Sequence, residues 1–251
     1  MEQLTFTKFL NHLLGPAVTA LLEKLGIHPA HPTHPINNPL AMELLVVIVL
    51  TILFVAVRMR LSVEKPGGLQ HTFEGIHGFI DGLACEIIGH DGPRFVPYLT
   101  VLGMFILSCN LLGLVPGLES PTAVEQVPLG AAILTWLYYN YAGLRANGPI
   151  GYLKHFIGPQ EGMPWIVRIL LPILIFPIEI FSHTARMLSL SVRLFANMFA
   201  GEMVTLVFFS LVPIGIPIVF EGLHIGVSFI QTYIFILLPA VYLGEAVAHE
   251  H

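Results

Sequence analysis

The chain has 251 residues, of which 55% are hydrophobic and only 11% charged, with a mean hydropathy of +0.79 and a formal net charge of -5. Soluble domains carry roughly 25% charged residues, so the composition excludes a soluble globular fold and predicts an all-α integral membrane protein seated in a lipid bilayer. The small net charge and the absence of any Lys/Arg cluster exclude nucleic acid as a partner; the two cysteines, Cys85 and Cys109, fall in a predicted surface helix and a predicted span and make no disulfide framework.

Residues 1–39 read as an extracytoplasmic N-terminal segment and 40–251 as a single polytopic membrane domain. The first 27 residues lack a basic region followed by an apolar run and a small-residue cleavage site, so they predict a short interfacial helix and no signal peptide. His28, His31 and His34 follow in a proline-rich stretch. Each lies beside a proline in extended chain with no fixed ligand geometry, so the stretch is read as a polar linker and no metal is expected. Leu40–Val57 is long enough to cross ~30 Å of hydrocarbon, and Arg58, Arg60 and Lys65 follow it at once. By the positive-inside rule those cations are cytoplasmic and the N-terminus is outside.

Residues 69–91 are too polar to span, yet Phe73, Ile76, Ile80, Leu83 and Ile87 recur at helical spacing and predict an amphipathic surface helix. Its polar face carries Glu74, Asp81 and Glu86, so attraction to anionic lipid would not hold it there. Phe95–Val115 is the second span, and the loop after it has Glu119 and Glu125 but no lysine or arginine. Pro128–Leu144 is the third, with Tyr138, Tyr139 and Tyr141 at its inner end where an aromatic belt would sit. Arg145, Lys154 and Arg168 then return the chain to the cytoplasmic side.

The next apolar stretch runs about 45 residues from Val167, more than twice a bilayer crossing as one helix, so it must tilt strongly, break, or do both. Pro172 and Pro177 favour a bend near its start, and Pro213 with Pro217 ends it. The last span is Val219–Leu243. The expected fold is thus five spanning helices, a long and strongly tilted pair near the C-terminus among them, with the C-terminus inside.

Both members of that pair carry a polar stripe. In the first, Glu179, Ser182, Arg186, Ser189, Arg193 and Asn197 follow at spacings of three or four and share one face. Glu202 lies nine residues beyond Arg193 and points to the opposite face of a straight helix. In the second, Glu221, His224, Ser228, Gln231, Tyr242 and Glu245 fall on nearly one side. Ala196 with Ala200, and Gly222 with Gly226, offer small-residue surfaces for close helix packing.

Arg193 is the anomaly. An arginine cannot shed its proton at any workable pH, and burying one in a bilayer costs at least ~2.5 kcal/mol. It could pair with Glu179 or Glu202 to hold helices together. Alternatively, a fixed cation repels hydronium and blocks a continuous file of water, so protons would cross only on a carboxylate carried past it by a moving element. Facing lipid that carboxyl is protonated; facing Arg193 it can ionise. A secondary transporter would show an internal repeat, and no second copy of the arginine segment is present. An intramembrane metalloenzyme would need grouped ligands, and no such cluster falls within a span.

The segments LSLSVRLFANMFAGE at 188–202 and HIGVSFIQTYIF at 224–235, with NLLGLVP in the second span and the terminal EH, resemble subunit a of F-type ATP synthases. The resemblance implies a non-catalytic stator subunit without a cofactor, in a bacterial inner membrane, partnered by the c-ring and the peripheral-stalk b subunits. It implies that Arg193 faces the rotor carboxylates, that Asn197, Glu202, His224 and Gln231 belong to an outer half-channel, and that Glu179, Ser182, Ser189 and Tyr242 lie near an inner route. Tyr242 is equally a belt residue by position. Arg186 departs from the family pattern, and the resemblance implies no role for it.

Overall fold

The architecture comes from a computed structural model of the chain. The structure describes residues 4–24, 35–62, 66–115, 117–155, 165–211 and 215–247. His28, His31, His34, Lys65, Pro213 and the terminal Glu250 and His251 lie outside the described residues, as do the side chains of Lys154, Arg168 and Pro172. Among the described residues the regular structure is entirely helical: α1 (Thr5–Lys24), α2 (Asn38–Met59), α3 (Gly68–Ile88), α4 (Val96–Leu112), α5 (Gln126–His155), α6 (Trp165–Leu211) and α7 (Ile216–Val247). Short 3-10 turns occupy Gly89–Arg94 and Pro121–Ala123.

Among the described residues three helices are long and apolar enough to cross a membrane: α2, the Leu174–Leu211 part of α6, and α7. Gly68–Arg94, which is α3 with its 3-10 turn, meets α4 at a bend of 116°, and the two make a fourth span if taken together. The expected third span lies in α5, which carries Asn140 among its tyrosines and is interrupted at Gly148, where φ is 70°. α6 runs through Pro172 and Pro177 as one helix, so no break divides the stretch. A proline removes one backbone donor and kinks a helix without forcing it to end.

The chain forms two compact units, and α4, α6 and α7 each contribute residues to both. The first unit takes the chain up to His71, Met104–Val127 and Leu194–Thr232. Here α2 starts at Asn37, whose side chain accepts from the Leu40 N–H at 3.2 Å, with Pro39 in the first turn where no amide donor is missed. α1 is tied to the chain before α2 by Asn11, which donates to the Ile36 carbonyl at 2.9 Å and accepts from the Ile36 N–H at 3.0 Å. Leu10, Ile36, Ala41 and Met42 form the apolar contact beneath that clamp. Val46 and Leu50 of α2 pack on Cys109 of α4.

The second unit takes Thr72–Gly103, Pro128–Arg193 and the chain from Tyr233 onward. Its core is built from Ile80 and Ala84 of α3, Leu99 of α4, Tyr139 and Ala142 of α5, and Ile236, Ala240 and Leu243 of α7. The apolar stripe of α3 is therefore covered by protein: Ile76, Leu83 and Ile87 all pack against this core. Gly92 is required at the bend after α3, because a Cβ there would stand 2.6 Å from the Ala84 carbonyl oxygen.

Candidate functional site

Polar side chains gather in each unit separately. In the first, α6 turns Glu202 into a recess of about 260 Å³ lined also by Gly113, Glu119, Thr205, Glu221 and His224. The carboxylate is anchored: its Oε1 accepts from the Ser120 backbone N–H at 3.2 Å. Ser120 is held in turn, its hydroxyl donating to the Cys109 carbonyl at 3.0 Å and lying 2.8 Å from the Thr122 hydroxyl. Thr122 donates to Asn110 Oδ1 at 2.7 Å. The seat is tight, since a Cβ on Gly113 would stand 2.9 Å from the Ser120 Cβ and 3.0 Å from Glu202 Oε1.

His224 packs against the α6 backbone at Gly201, where an added Cβ would meet its ring at 3.4 Å. One turn before Gly201, Asn197 donates to Gln231 Oε1 at 3.0 Å. Among the described residues the buried atoms His224 Nε2, Thr205 Oγ1, Gln231 Nε2 and Asn110 Nδ2 have no hydrogen-bond partner. A buried polar group left unpaired costs ~1–3 kcal/mol. Two of these residues, His224 and Thr205, line the recess, so water is the natural partner there.

In the second unit Arg193 stands on the exposed side of α6, while Leu190 turns to the buried side. Among the described residues no carboxylate forms an ion pair with it; its guanidinium reaches only as far as the Ser189 hydroxyl, at 3.5 Å. Glu179 instead lies 3.4 Å from His183 Nε2, and Arg186 takes Glu245 as its partner. Tyr242 sits with its ring 5.2 Å from the Arg186 guanidinium carbon. Ser182 is half-buried on α6.

Among the described residues the small-residue surfaces are left open. Ala196 and Ala200 are exposed, and a Cβ on Gly222 or Gly226 would find open space within 4 Å. On α6 they share the outward face of Arg193, because residues three, four and seven apart lie on one side of a helix. Among the described residues no three His, Cys, Asp or Glu side chains are grouped so as to hold a metal ion.

Sequence reasoning singles out Glu202, His224, Asn197 and Gln231 but misses the seat around Glu202, whose donor is a backbone amide 82 residues away. It also misses His183, although its position four residues after Glu179 is the spacing at which helix neighbours pair. Glu43, half-buried in α2, goes unweighed as well.

Comparison with known proteins gives one consistent result. The family described as ATP synthase A chain matches residues 40–244. The chain is similar to the ATP synthase subunit a of Koribacter versatilis, 55% identical over 250 residues, which is 100% of this chain and 99% of that protein. It is similar to the same subunit of Solibacter usitatus, 49% identical over 97% of this chain and 100% of the other. With that of Aquifex aeolicus the identity is 38% over 82% of this chain and 95% of the other.

Proposed function

The chain belongs to the ATP synthase A chain family, and from that membership we propose that it is the proton-translocating stator subunit of a rotary F-type ATP synthase. It catalyses no bond change itself. A proton crossing the membrane yields ~2.3 kcal/mol per 100 mV, far less than a phosphoanhydride bond requires, so several must be coupled mechanically through the rotor. The subunit would sit in a bacterial inner membrane beside the c-ring and the peripheral-stalk b subunits.

In this reading five segments cross the bilayer, α2, α4, α5 and the tilted pair α6 and α7, with the N-terminus outside and the C-terminus cytoplasmic. α3 lies along the surface, since a 116° turn before α4 is too sharp for one straight crossing. Glu202, His224, Asn197 and Gln231 form the outer half-channel. Glu179, Ser182, Ser189 and Tyr242 form the inner one. Arg193 separates them and meets each c-ring carboxylate in turn.

The observation that carries the proposal is the state of Arg193: a permanent cation on the exposed side of an apolar helix, without a carboxylate of its own chain among the described residues. Such a charge is stable in a membrane only when another component supplies the counter-ion. The exposed Ala196 and Ala200 on the same face would let a partner helix approach closely.

The test is Arg193→Ala and Arg193→Lys in the assembled complex. Both are expected to abolish ATP synthesis driven by an imposed proton gradient, the lysine because it lacks the planar fork of donors. Full synthesis in Arg193→Ala would refute the assignment.

A further inference from the structure

Within the second unit two arginines stand two turns apart on one face of α6, and their surroundings differ. Arg193 forms no ion pair with a carboxylate among the described residues, and its reach ends at the Ser189 hydroxyl, 3.5 Å away. Arg186, to which the family resemblance assigns no role, is ion-paired with Glu245 of α7. Three residues before Glu245, the Tyr242 ring lies 5.2 Å from the same guanidinium carbon. α7 thus meets Arg186 with an anion and an aromatic ring together.

Stability does not explain the pair. The Arg186 side chain is 28% exposed and that of Glu245 50%, and ion pairs open to water in this way add little to a fold. Its position says more. Ser182 lies four residues before Arg186, Ser189 three after and Glu179 seven before, so all three share its face. With Tyr242 these are the residues that the transport reading assigns to the inner route. A permanent cation among them obstructs that route, because it repels hydronium just as Arg193 does. Glu179 is poorly suited as its standing counter-ion: in that reading it exchanges a proton, and His183 Nε2 lies 3.4 Å from it. Glu245 has no other part in the route and makes its ion pair with Arg186.

We propose that Glu245 is the counter-ion that cancels Arg186, so that the inner route carries no uncompensated fixed cation and the barrier to hydronium is set at Arg193. The inference rests on the transport reading above. Glu245 acts through Arg186 and carries no transported proton itself, so it is a positioning residue for charge. The two arginines then have opposite tasks on one helix face, and what separates them is the presence or absence of a carboxylate from α7.

The experiment uses the complete ATP synthase in inverted membrane vesicles and reads ATP-driven proton pumping per assembled complex, at low salt and again at ~0.5 M salt, where exposed charges are largely screened. Each variant is compared with the parent at the same salt. Glu245→Gln leaves Arg186 uncompensated and is expected to pump at least about threefold slower at low salt, the factor that one charge exerts on another ~7 Å away in water. That deficit is expected to shrink at high salt, which a purely structural defect would not do. Arg186→Gln/Glu245→Gln removes both charges, leaves the net charge unchanged and is expected to return to near the parental rate. A double variant as slow as Glu245→Gln would overturn the inference, as would parental pumping by Glu245→Gln at low salt or a deficit that salt leaves untouched. If Glu245→Gln alone fails to assemble, the double variant still decides: near-parental pumping supports the cancellation of charge, and slow pumping or failure to assemble overturns it. Arg193→Ala separates the two readings. If it loses coupling while Glu245→Gln pumps as the parent does, only this inference fails, whereas if it stays fully coupled the transport reading itself fails.

Discussion

Gly113→Ala is the sharpest small perturbation the fold permits. The added methyl would stand 2.9 Å from the Ser120 Cβ, 3.0 Å from Glu202 Oε1 and 3.3 Å from the Ser120 nitrogen. All are inside ordinary van der Waals contact. The Ser120 side cannot retreat freely, because its hydroxyl is bonded to Cys109 and Thr122 is bonded to Asn110. Overpacking of this kind costs ~1–3 kcal/mol, and the softer response is to push the Glu202 side chain off the Ser120 amide. A neutral hydrogen bond lost there removes about 1 kcal/mol, one to an ionised carboxylate ~1.5–3 kcal/mol. Since 1.4 kcal/mol corresponds to a factor of ten, proton uptake through the proposed outer half-channel should fall by roughly five- to a hundred-fold while the subunit still assembles. The assay is ATP-driven pumping in inverted vesicles, scaled to the amount of assembled complex, with Glu202→Gln as the floor. Glu202→Asp in the Gly113→Ala background should recover part of the loss, because the shorter acid withdraws from the methyl. Parental pumping in fully assembled Gly113→Ala would refute the argument that the glycine makes the seat.

Asn197→Ala removes the donor to Gln231, a residue 1% exposed, and leaves a buried amide oxygen unpaired; the expected cost is ~1–3 kcal/mol, seen as faster hydrogen exchange in the turns of α7 around Gln231 in detergent. Unaltered exchange would show that the bond is not made. Asn11→Ala strips both bonds from Ile36 and should release α1, so that limited proteolysis cuts the N-terminal segment at least about tenfold faster on the same scale of unpaired-group cost; a cleavage rate equal to the parent's would rule out the clamp.

Helix existence and facing are legible from the chain because periodicity is a local property. Arg193 falls on the exposed side of α6 and Leu190, Leu194 and Met198 on the buried side, as the spacing requires. The Asn197 and Gln231 stripes do meet. The stripe of α3 is equally plain, yet periodicity says only that it is apolar, not what covers it, and here Ile76, Ile80, Leu83 and Ile87 pack on the protein core. The small residues at 196, 200, 222 and 226 mark a close-packing surface without saying whose, and among the described residues all four are exposed.

The sequence by itself determined a membrane chain with a permanent cation isolated on an apolar helix, because composition and residue charge do not depend on what packs where. Only the tertiary structure decided what holds Glu202 and what accompanies Glu179. The first is met by the amide of Ser120, and any residue but proline has such an amide, so nothing in its identity announces the contact. The second is a histidine that shares a hydrogen bond with a tyrosine 44 positions earlier. In lipid, where apolar faces have no water to flee, which helices meet is settled by close packing and hydrogen bonds, and those exist only once the chain has folded.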